Sequence, residues 1–328
     1  MKPPLDLKDR KILLELDADS RQSNARIAKR TGLSKQVVGF RIARLLREGM
    51  VRSFYTVIDI AKLGYTNHKV FLRLQDMEAA TEAALVKFLQ EHESVVWAVS
   101  CDGQFDLAFG TRVQDMEQLE QLLKQLTQRF GAHIAERSIA TIIRGEYFWR
   151  QYLAPEQKER TLPESAFGSV PAPAKLDEKD WKILVRIAED ARASSVAIGA
   201  AAGLSADAVA QRIRKLEQSG VIQRSNIVPG PAFPYLHYKV LFRLRDLGAS
   251  REAALLAFCK RHPNIVYVVK ALGPWDFETD IEVESVERFR EVMMELKTRF
   301  ADVIRDYSPL TIYQIHKYNF CPSSPAKI

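Results

Sequence analysis

Residues 5–13, LDLKDRKIL, recur at 176–184 as LDEKDWKIL, an offset of 171. The same offset carries DSRQS (19–23) onto DARAS (190–194) and TGLS (31–34) onto AGLS (202–205). It also carries Val38, Arg41, Ile42, Leu45 and Gly49 onto Val209, Arg212, Ile213, Leu216 and Gly220. One residue is then lost and an offset of 170 takes over. EAAL (82–85) falls on EAAL (252–255), Gly103 on Gly273, Asp106 on Asp276, and Arg129 and Phe130 on Arg299 and Phe300. A chain repeating itself over ~140 residues with one small gap must fold as two similar halves. Its 328 residues match about two domains at ~150 residues each. Between the halves, 151–175 carries Pro155, Pro163, Pro171 and Pro173 with Ser165, Gly168 and Ser169, which reads as a linker.

Each half begins with three short helices. Ile12, Leu13 and Leu16 give a helical face to 6–17. Ser23 caps a second helix over 24–30, which Gly32 ends, and Ser34 caps a third that runs to Glu48 before Gly49. Two helices joined by a tight glycine turn form the helix-turn-helix pattern. A strand follows over 50–60, rich in β-branched and aromatic residues. Beyond it, strands are expected at 68–74, 94–100, 105–111 and 134–143, with helices at 81–91 and 115–130. The order βαββαβ is the ferredoxin-like arrangement, whose bare sheet face needs covering, and two copies in one chain can cover each other. The expected fold class is α+β. Its expected domains are a helix-turn-helix unit (1–62), a βαββαβ unit (63–150), the linker (151–175), a divergent helix-turn-helix unit (176–232) and a second βαββαβ unit (233–328).

Composition narrows the function. With 47% apolar and 27% charged residues the chain can bury real cores. No apolar run approaches the ~18 residues of a membrane span, and MKPPLDLKDRK has no apolar stretch of a secretory signal. Cys101, Cys259 and Cys321 are odd in number and form no CxxC pair. No disulfide framework or zinc ribbon is expected, and a reducing, cytoplasmic setting fits. The net charge of +7 is mild for the length, but its placement is informative. Residues 1–62 hold 14 basic and 7 acidic side chains, and the remaining segments together balance to zero.

LDLKDRKILLELDADSRQSNARIAKRTGLSKQVVGFRIARLLREGMV, followed by a βαββαβ unit with GQFD in its central hairpin, resembles the Lrp/AsnC (feast/famine) transcription regulators. The resemblance covers both halves. It implies a winged helix-turn-helix DNA-binding domain followed by a RAM/AsnC-type domain that dimerises and binds a small effector. Family members usually carry one copy per chain, so two copies imply a covalent pseudo-dimer that assembles further. The family fold also carries an enzymatic branch, the siroheme decarboxylases of haem biosynthesis, some of them fused pairs. Fold alone does not separate the two. The enzyme would need a large cavity lined by His and Arg, to which nothing in the sequence points, so transcription regulation leads.

On the third helix, Val38, Ile42 and Leu45 face the core, and Gln36, Phe40, Ala43 and Arg47 lie opposite. Expected DNA contacts are Ser34, Lys35, Gln36, Phe40, Arg44 and Arg47. Lys35 and Gln36 suit base edges in the first turn, Phe40 a thymine methyl, and Arg44 and Arg47 phosphates. Arg41 and its counterpart Arg212 lie nearer the core, where packing or an internal ion pair is equally expected. Arg21 and Arg192, each two residues after an acid, are expected in ion pairs within their own three-helix unit. The second copy presents Asp207, Gln211, Arg214, Lys215 and Gln218 instead, a weaker reading head.

The hairpins at 102–106 and 272–276 fit plain glycine turns. The family resemblance places an effector, for instance an amino acid, near Gly103, Asp106, Gly273 and Asp276. Pro274 makes the two hairpins unequal. The histidines show no metal-ligand spacing, and His92 and His262 are expected as imidazolium ions at helix C-termini. No catalytic motif, metal site or cofactor is expected. The closing aromatics, Tyr147, Phe148, Trp149 and Tyr152 with Tyr313, Tyr318 and Phe320, are expected to pack across the two copies.

Overall fold

The computed structural model describes residues 5–154, 165–168, 170–245 and 248–322. In the first copy, α1 (Leu7–Ala18), α2 (Asn24–Thr31) and α3 (Lys35–Arg47) lead into β1 (Val51–Ile58). The capping residues act as expected. Ser23 accepts from the Arg26 amide, Ser34 from the Val37 amide, and Gly32 closes α2 in the left-handed region. The copy continues as β2 (Thr66–Leu74), α4 (Ala79–Glu91), β3 (Val95–Asp102), β4 (Leu107–Val113), α5 (Met116–Phe130) and β5 (Ile134–Tyr147). After β6 (Ser165–Gly168), the second copy repeats the order. Its elements are α6 (Glu178–Glu189), α7 (Ser195–Ala202), α8 (Ala206–Gln218), β7 (Ile222–Pro229), β8 (Leu236–Leu244), α9 (Ala249–Arg261), β9 (Ile265–Leu272), β10 (Phe277–Val283), α10 (Val286–Arg299) and β11 (Ile304–Tyr318).

Each copy builds an antiparallel sheet, β5-β2-β4-β3 and β11-β8-β10-β9, the ferredoxin-like order. The sheets join at both edges, because β11 pairs with β3 and β5 pairs with β9. Eight strands thereby form a closed ring, which removes the open edges that a lone sheet would expose. Side chains alternate across it. Val70 and Leu72 of β2 pack under α4 and α5, while Phe71 points inward with Trp97, Phe105, Leu241 and Trp275. Lys69 and Lys239 also occupy the interior, where Lys69 Nζ meets Glu278 and Lys239 Nζ meets Asp280 at 2.7 Å. Burial pulls Lys69 down to about 8; Glu278 opposes this and Lys239 adds to it.

The heads interlock in the same reciprocal way. β1 pairs antiparallel with β7, and α1 packs on β7 while α6 packs on β1. Arg21 and Arg192 depart from the expected ion pairs. Each guanidinium crosses to the other head, Arg21 Nη1 donating to the Ala191 carbonyl at 2.5 Å and Arg192 Nη2 to Asn24 Oδ1 at 2.9 Å. Asp19 and Asp190 accept the backbone amides of Arg21 and Arg192 instead. Backbone carbonyls at a turn need donors, and the other copy supplies them.

One described part of the linker pairs as a strand. Ser165–Gly168 adds to β5 as a short strand, with Gly145 facing Phe167. A Cβ at Gly145 would lie 2.3 Å from the Phe167 ring, so only glycine admits that ring. Pro155, Pro163 and Ser169 lie outside the described residues. Of the closing aromatics, Tyr147 and Tyr318 do meet across the copies, their hydroxyls 2.9 Å apart and both rings touching Tyr55, whereas Tyr313 is 60% exposed.

Candidate nucleic-acid interface

The capped start of α3 projects from the first head. Ser34, Lys35, Gln36, Phe40 and Arg47 are exposed, with Phe40 at 66%. Lys35 and Arg47 have no ion-pair partner among the described residues. The buried side of α3 is Val38, Ile42 and Leu45, which fixes the outward arc as the sequence periodicity required. Val37 and Leu46, also exposed, add apolar surface on either flank of that arc.

Arg44 is a correction. Its Nη2 lies 2.5 Å from Asp9 Oδ2, and Arg41 Nη1 bridges Asp6 at 2.7 Å and Asp9 at 2.8 Å. Asp9 is 1% exposed, and a buried carboxylate needs such partners. Arg44 therefore ties α3 to α1 and is not free for phosphate. Arg212 repeats the Arg41 arrangement, 2.7 Å from both Asp177 and Asp180. Two further cations, Arg26 and Lys29, are exposed on α2, outside the arc that helical periodicity assigns to α3. The charge count of residues 1–62 already contained them, but no residue pattern marked their direction.

On the second head, Asp207, Gln211, Arg214, Lys215 and Gln218 are exposed on α8, and α7 carries no basic residue. One head is basic on both helices of its motif. The other offers two cations and an acid.

The hairpin residues have structural partners. Gly103 and Gly273 sit at φ +137° and +152°, and a Cβ there would lie 2.8 Å from the Pro309 carbonyl and 2.7 Å from the Ile139 carbonyl. The close approach is to the other copy's strand. Asp106 Oδ2 accepts the Leu74 amide and Asp276 Oδ2 the Leu244 amide, both at 2.7 Å. These carboxylates fasten the hairpins to β2 and β8, so the geometry offers packing, rather than an effector, as the account of all four residues.

The histidine expectation also changes. His92 and His262 do cap α4 and α9, but each Nδ1 accepts a backbone amide at 3.2 Å, from Ser94 and Asn264. Burial lowers both, His262 to about 4, so both rings are neutral at pH 7. Among the described residues no group of three His, Cys, Asp or Glu could hold a metal.

Three openings lie where heads meet barrel. A cavity of about 80 Å³ sits between Tyr55 of the head sheet and Lys69, Trp97, Lys239 and Tyr267 of the barrel mouth. A cleft of about 460 Å³ includes Arg52, His237 and His316, a His- and Arg-lined space of the kind the enzymatic branch would need, and one of about 260 Å³ includes Arg112 and Lys317. His237 is held by Asp280 at 2.7 Å and His316 by Ser100 at 2.7 Å.

The geometry defines a class: tandem helix-turn-helix heads, interlocked with each other, on a ferredoxin-like pair closed into one barrel. Residues 5–52 match the family model of a winged helix-turn-helix DNA-binding domain, and residues 176–217 that of an AsnC-type helix-turn-helix domain. Over 144 residues the chain is 31% identical to an uncharacterized HTH-type transcriptional regulator of Pyrococcus abyssi, covering 44% of this chain and 90% of that protein. It is 28% identical over 123 residues to the HTH-type transcriptional regulator FL11 of Pyrococcus horikoshii, covering 38% and 80%. The chain belongs to the Lrp/AsnC family. The crystal structure of the siroheme decarboxylase NirDL aligns with 97% of this chain and 94% of its own, at a TM-score of 0.60 and 13% identity. That likeness shows a shared tandem fold.

Proposed function

We propose that the protein is a sequence-specific DNA-binding transcription regulator, acting as a covalent pseudo-dimer and by binding rather than by turnover. The observation that carries this reading is the outward arc of α3. Lys35, Gln36, Phe40 and Arg47 combine exposed charge, a bidentate amide and an apolar ring on a helix capped at Ser34. That combination suits a major groove, with Lys35 and Gln36 at base edges and Phe40 at a thymine methyl. Arg26 and Lys29 on α2, with Arg47, would take phosphates on either side. The family membership and the helix-turn-helix regulators among the relatives support it. The second head contributes less, because Asp207 in its first turn repels phosphate.

A small-molecule effector belongs to this reading at the head–barrel junction, where the openings touch both parts, in preference to Asp106 and Asp276. Genomic binding-site selection with purified full-length protein, with and without each amino acid, tests both halves. Enriched sequences whose affinity falls steeply with salt support the reading. Duplex binding without sequence preference, or decarboxylation of siroheme by the same preparation, would replace it.

A further inference from the structure

The duplication supplies an internal control for one buried cation. On one side of the molecule Arg150 reaches Asp17 of α1 at 2.6 Å and Glu282 of β10 at 2.7 Å, and the Tyr152 hydroxyl donates to the same Glu282. Every charge there has a partner. The related positions on the other side are fixed by strand register. β11 carries one extra residue, so Tyr318 opposite Trp97 matches Tyr147 opposite Tyr267. Cys321 then stands where Arg150 stands, Arg112 where Glu282 stands, and Ala188 where Asp17 stands. The acid–arginine–acid trio has become alanine, cysteine and arginine.

Arg112 is 8% exposed, and its guanidinium has no carboxylate or hydrogen-bond acceptor among the described residues. Buried charges are ordinarily paired, because an unpaired one gives up hydration for nothing. The guanidinium opens instead on the cleft of about 260 Å³, which Lys317 also lines. Lys317 donates to the His92 carbonyl at 2.8 Å and likewise has no ion-pair partner among the described residues. Burial, and then Arg112, pulls it down to about 8, as expected of two cations facing one space. Three acids stand at the rim and all are exposed. Glu91 lies 3.8 Å from Lys87 and Glu189 2.9 Å from Arg186, and Glu93 is the one of the three whose charge raises Arg112 against burial.

We propose that this cleft binds a small oxyanion, a carboxylate or a phosphate monoester, with Arg112 as the bidentate anchor and Lys317 as the second charge. The planar guanidinium fork matches two oxygens of either group. The site is single, because its counterpart is closed by Arg150. It touches α6 of the second head and β4 of the first copy's barrel, and it stands whether or not the heads read DNA.

The test uses full-length protein at pH 7 and constant ionic strength made up with chloride. Inorganic phosphate and acetate are titrated separately by calorimetry and by thermal melting. Wild type should show saturable binding to at least one, with a rise in Tm, and the pattern of response assigns the class. Arg112→Gln should weaken that binding at least tenfold, and Lys317→Met should weaken it several-fold. In anion-free buffer Arg112→Gln should melt no lower than wild type, since it removes an unpaired charge. No saturable response in wild type, undiminished binding by Arg112→Gln, or a marked loss of stability or folding in that variant without anions would each overturn the proposal.

Discussion

Arg150→Met removes one guanidinium from two buried carboxylates at once. Nη1 of Arg150 donates to Asp17 at 2.6 Å, and Nε and Nη2 donate to Glu282 at 2.7 and 2.8 Å. Asp17 is 0% and Glu282 3% exposed, so water cannot replace the missing partner without opening the structure. Methionine keeps most of the stem and removes the charge. Breaking a buried pair costs ~3–5 kcal/mol. Two neighbours hold the expected loss near the lower end: Arg224, 3.9 Å from Asp17, and the Tyr152 hydroxyl on Glu282. Urea unfolding at pH 7 should therefore show a deficit of ~3 kcal/mol. The pH dependence has a definite sign. Burial alone would raise Glu282, but Arg150 beside it overrides burial and holds the carboxyl below its ordinary range. In wild type that stability is present above the unfolded carboxyl value of ~4.3 and is lost as pH falls through the lower folded value. In the variant burial acts unopposed by Arg150, and Glu282 takes up its proton at higher pH. The deficit should then be largest near pH 7 and shrink towards pH 5. A deficit below ~1 kcal/mol, the range of an exposed pair, or one that does not change with pH, would refute the argument.

Lys35→Ala/Arg47→Ala should lower DNA affinity and reduce the slope of log K against log salt by ~0.9 for each phosphate that is no longer neutralised. The matching Arg214→Ala/Lys215→Ala pair should change both far less, and fluorescence anisotropy across a salt series checks the ranking. Gly103→Ala forces a Cβ to 2.8 Å from the Pro309 carbonyl at a φ of +137°. Strain of that kind costs ~1–3 kcal/mol, and a thermal melt equal to wild type would count against hairpin packing. Arg21→Ala should free the Ala191 carbonyl and loosen the pairing of the heads. Faster amide exchange confined to residues 20–24, 54–56 and 191–193 is the expected signature. Burial holds the folded His262 ring down to about 4 while an unfolded histidine titrates near ~6.5, so wild-type stability should decline as pH falls from 8 to 6, and His262→Gln should remove that part of the decline in urea unfolding at the two pH values.

Local chemistry made much of this fold legible. Ser23, Ser34 and Gly32 mark helix ends through hydrogen bonds and a backbone angle that depend on a few adjacent residues. The strand and helix periodicities of the βαββαβ unit are equally local, and α4 and α5 fall within two residues of the positions they give. What escaped the sequence depends on partners distant in the chain, from about 20 to 170 residues away. Arg21 follows an acid and reads as its ion-pair partner, yet the guanidinium crosses to Ala191. Ser165–Gly168 reads as linker because the surface it pairs with exists only after β5 and β9 have joined. Asp106 reads as a ligand carboxylate because its acceptor role towards the Leu74 amide appears only once the hairpin is folded back. Arg112 gave no signal at all. Its meaning lies in the absence of an acid at the positions of Ala188 and Cys321, and the extra residue in β11 hides that correspondence until strand register is known.

Covalent fusion permits what a symmetric dimer could not hold. In a homodimer each inward residue occurs twice, so the lysine pair Lys69 and Lys239 would face either two copies of Ala108 and Gly110 or two copies of Glu278 and Asp280. The first leaves two buried cations unpaired, and the second buries four carboxylates against two ammonium groups; both are costly. The fused chain carries each set once, so two lysines meet two acids in the closed barrel. The same freedom lets the reading heads diverge while Arg21 and Arg192 keep them docked. A basic first head rigidly coupled to a weaker second one should select operators with one strong half-site and one degenerate half-site. Mutating the strong half-site should abolish binding, and mutating the other should weaken it only modestly. Equal losses from both halves would mean that the charge difference between α3 and α8 does not govern recognition.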